Sequence, residues 1–145
     1  MKVSTKGRYG LRVMMELAGH YGRGPMPAEA IAKNQAISSK YIHVLVMRLR
    51  TAGLIRSVRG PGGGYELAKE PSSITALDVV SALEGAIVPV ECAKNPSSCP
   101  RGDCCAVREV WSEMASAVDG VLSRLTLEEL WLRQQSMSET PTYSI

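Results

Sequence analysis

With 145 residues and 45% hydrophobic side chains, the chain is long enough to bury one compact core and has the apolar content of an ordinary globular protein. No apolar run approaches the ~18 residues of a membrane span, and no basic start leads into an unbroken apolar stretch, so the expectation is a cytoplasmic protein without anchor or leader. The net charge of +3 hides a division: residues 1–69 carry twelve Lys or Arg against three Asp or Glu, residues 70–145 five against eleven. A basic half suits a polyanion, most often nucleic acid, and an acidic half suits the surface turned away from it.

In chain order, Leu11, Met14, Met15 and Ala18 recur at helical spacing and predict a first helix within residues 4–21, with Ser4 and Thr5 available as caps. After the Gly22-Arg23-Gly24-Pro25 turn, Pro27 opens a short second helix with Ala28, Ile31 and Ala32 on one face. Residues 34–37 form a tight connection. Ser38 is the expected N-cap of a third helix over 39–52, with Ile42, Leu45, Val46 and Leu49 inward and Gly53 as its stop. Leu54 to Val58 and Tyr65 to Leu67 read as the two strands of a hairpin. Two short helices, a turn and a hairpin spell a winged helix-turn-helix, so the fold class is mainly α with a small β-hairpin wing.

Thr75 and Asp78 form an expected capping box for a fourth helix carrying Ala76, Val79, Val80 and Leu83 and ending at Gly85. Residues 91–105 are loop by composition, with too little apolar matter to order themselves. From Ala106 the residues Val107, Trp111, Met114, Val118, Val121 and Leu125 alternate steps of four and three, a heptad seam that predicts a long C-terminal helix seeking a partner helix. The competing reading is a core helix packed within its own subunit. Thr126 and Glu129 cap a last helix carrying Leu127, Leu130 and Trp131, and the polar tail after Gln135 is expected to fray. The domain expectation is a winged helix-turn-helix over 1–70, a dimerisation region over 71–135 containing the loop 91–105, and a flexible tail over 136–145.

A recognition helix offers polar side chains on its outer N-terminal turns, and here those are Ser38, Ser39, Lys40, Tyr41 and His43, followed by Met47, Arg48 and Arg50. Hydroxyls and Lys40 suit phosphates, and Tyr41 and His43 suit base edges. His43 taken alone reads equally well as a solvent-facing helix residue. In the wing, Gly62-Gly63-Gly64 permits a tight turn flanked by Arg56 and Arg59, and an arginine so presented suits a narrow minor groove. A nucleotide-phosphate loop is excluded, because no Gly-Lys-Ser/Thr follows and the next residues read as strand.

The stretches Lys6-Gly7-Arg8-Tyr9, Ile37-Ser38-x-x-Tyr41-Ile42 and Val58-Arg59-Gly60-Pro61-Gly62-Gly63-Gly64-Tyr65 resemble the Rrf2 family of bacterial transcription regulators, above all its IscR-type members. The resemblance runs from residue 1 to about residue 132. It implies a homodimer whose long C-terminal helices cross and whose winged helices each take half of a near-palindromic DNA operator. By the same resemblance Ser38, Ser39, Lys40, Tyr41 and His43 form the major-groove set and Arg59 the minor-groove contact. Position 43 is acidic in the IscR pattern, so operator sequence does not carry over.

Four cysteines, Cys92, Cys99, Cys104 and Cys105, fall within residues 92–105. In a reducing compartment clustered thiols bind metal or sense redox state more often than they form structural disulfides. The resemblance implies an iron-sulfur cluster, 2Fe-2S ahead of 4Fe-4S, held by Cys92, Cys99 and Cys105, with Cys104 an alternative. In that pattern a histidine follows the third cysteine by three residues, but here Arg108 stands there, and a guanidinium has no lone pair to give iron. Cys104, Glu91, Asp103, Glu109, a partner-subunit residue or a small thiol remain open as fourth ligand. Zinc held by four thiolates and a thiol switch through Cys104 with Cys105 or Cys99 also remain open. An enzyme is disfavoured, since no base neighbours the thiols and no cofactor fingerprint is present. The expectation is a homodimeric, DNA-binding repressor that senses iron-sulfur or redox status. The alternative is a cluster-free regulator of the same family that answers to thiol oxidation or to a partner enzyme of cysteine metabolism.

Overall fold

The computed structural model describes residues 2–139. The elements are α1 (Thr5–Gly19), α2 (Ala28–Gln35), α3 (Ser39–Thr51), β1 (Ile55–Val58), β2 (Gly64–Leu67), α4 (Ala76–Glu84), α5 (Ala106–Arg124) and α6 (Leu127–Glu139), with short 3-10 turns between α4 and α5. The mainly helical winged-helix architecture is the one expected from the periodicity. One apolar cluster runs from Val13, Met14 and Leu17 of α1 through Ile31, Ile42, Leu45 and Leu49 to Ile74, Val79, Leu83 and Leu127, so the core is continuous across residue 70.

The buried face of α1 is rotated from the one the apolar spacing predicts. Gly7, Gly10, Val13, Met14, Leu17 and Ala18 are buried, whereas Leu11 and Met15 are only half-buried. Gly7 and Gly10 carry no side chain to register in a hydrophobic period, yet they are where α4 comes closest. A Cβ on Gly10 would lie 2.0 Å from Cδ1 of Leu83, and one on Gly7 would lie 2.7 Å from Oε1 of Glu84. A side chain at Gly10 would force the packed Leu83 aside, at a cost of about 1–3 kcal/mol.

Glu84 closes the same contact. Its Oε1 accepts from the backbone N–H of Ser4 at 3.1 Å, from that of Gly7 at 2.9 Å and from the Ser4 hydroxyl. A carboxylate from α4 thus takes up free N–H groups at the start of α1, where the helix dipole favours negative charge. The Ser4 hydroxyl bond is the main reason that the Glu84 carboxyl is held below its ordinary value of 4.5.

Caps follow the sequence signals. The Ser38 hydroxyl accepts from Tyr41 N–H, Thr75 and Asp78 form a reciprocal capping box, and Thr126 and Glu129 do the same at α6. Gly53 takes φ +74° just after α3, a conformation costly for other residues. Between Ile74 and Leu127 the chain closes on itself, with Leu127 N–H donating to Ile74 at 2.9 Å and Ala76 N–H to Leu125 at 2.7 Å. This bridge seats α6 on α1, where the Trp131 ring lies over Gly19; a Cβ there would be 2.5 Å from the ring. α6 runs through Glu139, so residues 136–139 of the expected frayed tail are helical, and 140–145 lie outside the described residues.

α5 packs along α4 but buries none of its residues fully. The expected heptad seam divides in two. Trp111, Val118 and Leu125 are half-buried, while Val107, Val110, Met114, Ala117 and Val121 form an exposed stripe in steps of three and four. Among the described residues, no helix is long and apolar enough to cross a membrane.

The depressed Glu84 carboxyl contributes stability that is fully present above its ordinary value and is lost as pH falls through its lower folded value. Glu84→Gln keeps an acceptor but loses the charge, so at pH 7 it should lower the melting temperature by about 3 °C. Thermal unfolding at pH 7 and at pH 3.5 checks this, with the gap expected to narrow at the lower pH. An equal gap at both would show that the charge contributes nothing.

Candidate nucleic-acid interface and cysteine loop

α3 presents its first turns outward because the inward positions Ile42, Leu45, Val46 and Leu49 are apolar and buried. Ser38, Lys40 and His43 are exposed and Ser39 is half-buried, all at the N-terminal end of the helix. Tyr41 is half-buried: its ring meets Tyr9 edge-on, centroids 6.1 Å apart, and the Arg12 guanidinium lies 5.2 Å from the Tyr9 ring. Nδ1 of His43 lies 3.1 Å from the Tyr65 hydroxyl. Farther along, Arg48 and Arg50 are exposed, and Nη1 of Arg50 donates to the Ser57 hydroxyl at 3.3 Å, tying α3 to the wing.

β1 and β2 pair antiparallel, Arg56 opposite Glu66 and Ser57 opposite Tyr65. Met26, before α2, extends the pairing to a third segment: Tyr65 N–H donates to Met26 at 2.8 Å and Met26 N–H to Tyr65 at 2.9 Å. Gly64 makes that approach possible. It sits at φ +155°, and a Cβ would fall 2.1 Å from the Met26 carbonyl oxygen. At the tip a Cβ on Gly63 would fall 2.3 Å from the Val58 carbonyl oxygen. The two wing arginines therefore part ways. Arg56 donates from Nε to Glu66 at 2.7 Å, so its charge is matched across the strands, whereas Arg59 is exposed at the tip with no bond or ion pair among the described residues.

The cysteine loop is more regular than its composition suggests. Three successive 3-10 turns, Glu91–Ala93, Pro96–Ser98 and Gly102–Cys104, bracket the thiols. They are held by local bonds such as Lys94 N–H to Glu91 at 3.1 Å, Ser98 N–H to Asn95 at 3.1 Å and Gly102 N–H to Cys99 at 3.0 Å. Order comes from turn chemistry rather than burial. Gly102 is the one buried residue of these turns, with its Cα against Pro96, and the Ser112 hydroxyl donates to the Ala93 carbonyl at 3.1 Å, fastening the loop to α5.

Cys92, Cys99 and Cys105 are half-buried, Cys104 is exposed, and all four are free thiols. Among the described residues no three Cys, His, Asp or Glu side chains converge as a metal site. The donor set suits an iron-sulfur cluster in kind, three soft thiolates on one loop, but not yet in arrangement. Arg108 lies in the first turn of α5, its Nε buried without a hydrogen-bond partner. The histidines lie elsewhere, His20 at the end of α1 and His43 on α3.

The family described as "Rrf2: Iron-dependent Transcriptional regulator" matches residues 3–132. The chain belongs to the Rrf2 family. It is 46% identical over 130 residues to the HTH-type transcriptional regulator CymR of Bacillus subtilis, covering 90% of this chain and 89% of that one. It is 38% identical over 135 residues to the HTH-type transcriptional regulator IscR of Photorhabdus laumondii, covering 93% and 82%. Among solved structures, T. potens IscR superposes with a TM-score of 0.78 at 35% identity, covering 98% of this chain and 93% of that one. The relatives are named as transcription regulators, not as enzymes.

The sequence motifs passed over two members of the interface. Tyr65 entered as a strand residue and as the end of the wing motif but with no role at the site, and Glu66 was not singled out, although a tyrosine directly after three glycines in a basic hairpin is a signal of something held in place. If Arg59 is the wing's free cation, Arg59→Ala should weaken binding to a cognate duplex about tenfold. Arg56→Ala should cost less, its charge being already matched. Gel shifts at one fixed salt concentration check the pair, and equal losses for both would refute the distinction.

Proposed function

We propose that the protein is a homodimeric transcription repressor of the cytoplasm whose cysteine loop sets its grip on DNA. Residues 1–70 form the reading head, with Ser38, Ser39, Lys40, Tyr41 and His43 in the major groove and Arg59 in the minor groove. Residues 71–135 form the dimerisation region with the sensing loop 91–105. The observation that carries the reading is the free Arg59 at a glycine-built wing beside a recognition helix whose outer turn is polar.

The exposed stripe Val107, Val110, Met114, Ala117 and Val121 supports the dimer, because a heptad seam left in water on an otherwise well-packed chain calls for a second helix. Two copies joined there would present two winged helices to the halves of a near-palindromic operator. Met114→Lys should break the dimer, shifting the mass seen by light scattering from dimer to monomer. A variant that remains dimeric would place the interface elsewhere.

In the loop, Cys92, Cys99 and Cys105 would hold an iron-sulfur cluster of the 2Fe-2S type, with 4Fe-4S or a thiolate from Cys104 as variants. A bound cluster would supply redox- and oxygen-sensitive chemistry. The chain's own part is a loop ordered by local turns, which can close around a guest without disturbing the core. Arg108 leaves the fourth position to another donor. A second reading has its own observation: four free thiols that do not converge among the described residues suit a thiol switch, and the similarity to CymR, named as the global cysteine regulator of B. subtilis, suits a regulator of cysteine metabolism.

Anaerobic purification with iron and sulfide counts separates the two. The cluster reading expects a visible chromophore, lost in Cys99→Ala while the dimer stays folded. A colourless, iron-free wild type after reconstitution would leave the thiol reading in its place.

A further inference from the structure

The recognition helix and the wing meet through one pair of rings. His43 Nδ1 lies 3.1 Å from the Tyr65 hydroxyl, and the rings stand edge to face, centroids 6.2 Å apart and planes at 74°. Tyr65 is not free to swing. Its N–H and C=O both pair with Met26, the preceding Gly64 is pressed against the Met26 carbonyl, and its half-buried ring packs against the core. His43 is exposed, and its Nε2 has no partner among the described residues.

A neutral imidazole carries its proton on one nitrogen, and the bond made by the other decides which. His43 is the only side-chain partner of the Tyr65 hydroxyl among the described residues. Were Nδ1 protonated, the phenol would accept from it and its own O–H, at this exposed contact, would be left to water. Donation from the phenol into Nδ1 pairs the more acidic O–H with the more basic imidazole nitrogen and leaves the proton on Nε2, which has no protein partner among the described residues.

We propose that Tyr65 is a positioning residue that fixes His43 as an Nε2–H donor and so makes position 43 select a base with a major-groove acceptor, guanine O6 or N7, adenine N7 or thymine O4, over cytosine, whose edge there offers only an amino group. The wing thereby edits what the helix reads. This rests on the DNA-binding function proposed above, and a DNA-independent measurement separates the two.

In long-range proton–nitrogen NMR of the full 15N-labelled chain at pH 8, above the ordinary imidazole range, His43 Nδ1 should show the shift of an unprotonated, hydrogen-bonded nitrogen. Tyr65→Phe, which keeps the ring and loses the hydroxyl, should move it to a mixture of tautomers while the dispersed spectrum reports a folded chain. In selection from a randomised duplex pool, wild type should prefer an acceptor-bearing base at one position of each half-site. Tyr65→Phe should relax that preference about tenfold, the scale of one hydrogen bond, and leave the other positions sharp. His43→Ala should relax the same position, and the double variant should go no further.

An Nδ1–H tautomer in wild type, an unchanged preference in Tyr65→Phe, or a loss spread evenly over all positions would overturn the inference while leaving a DNA-binding protein. A wild type that enriches no sequence would overturn the DNA-binding reading and this inference with it.

Discussion

The rest of the architecture depends on how closely α1 and α4 approach one another. Two glycines on α1 let Leu83 and Glu84 of α4 reach the helix backbone, and Glu84 then satisfies N–H groups that the start of α1 cannot pair internally. Because α1 also touches α2, α3, β2 and α6, this one approach sets the frame in which the recognition helix stands. It also fixes where α4 ends, at Gly85, and so where the cysteine loop leaves the core. Helix α3, the wing and α4, from which the cysteine loop departs, belong to one packed body.

Most of the fold was legible because its signals are local. Ser38, Thr75 with Asp78, and Thr126 with Glu129 announce helix starts by a hydroxyl and a carboxylate at fixed spacing, and each does in the structure what that chemistry requires. The inward face of α3 follows from its apolar period alone. Where contacts replace side chains the sequence falls silent. Gly7 and Gly10 lie on the buried face of α1 but weigh nothing in a hydrophobic pattern, so the predicted face was turned toward Leu11 and Met15. The 3-10 turns of the cysteine loop escaped for a related reason, since their order comes from neighbouring backbone groups and not from burial.

The candidate site divides along the same line. The polar outer turn of α3 and the glycine run of the wing are visible as composition, but the distinction between Arg56 and Arg59 is a matter of cross-strand register. A hairpin with Arg56 opposite Glu66 removes one cation and leaves the other, and no residue count shows which. The contacts of Tyr65 with Met26 and His43 likewise join residues far apart in sequence, so they exist only once the wing has folded over the start of α3. The charge division between the halves, by contrast, survives folding, because long charged side chains remain at the surface wherever the helices go.

The loop and α5 show how a chemical state could reach the DNA without unfolding anything. α5 buries no residue fully, and the loop is fastened to it by the Ser112 bond to Ala93 rather than by a core of its own. On the proposed function, a change at the thiols would leave the buried core of the winged helix in place and act first on α5, the helix to which the loop is fastened. If two chains join along the exposed stripe of α5, the angle at which α5 leaves α4 sets the distance between their winged helices, and two heads fit successive turns of a duplex only at a matching separation. A small rotation at a lightly held helix thus becomes a large change in affinity, while each head by itself stays as it is.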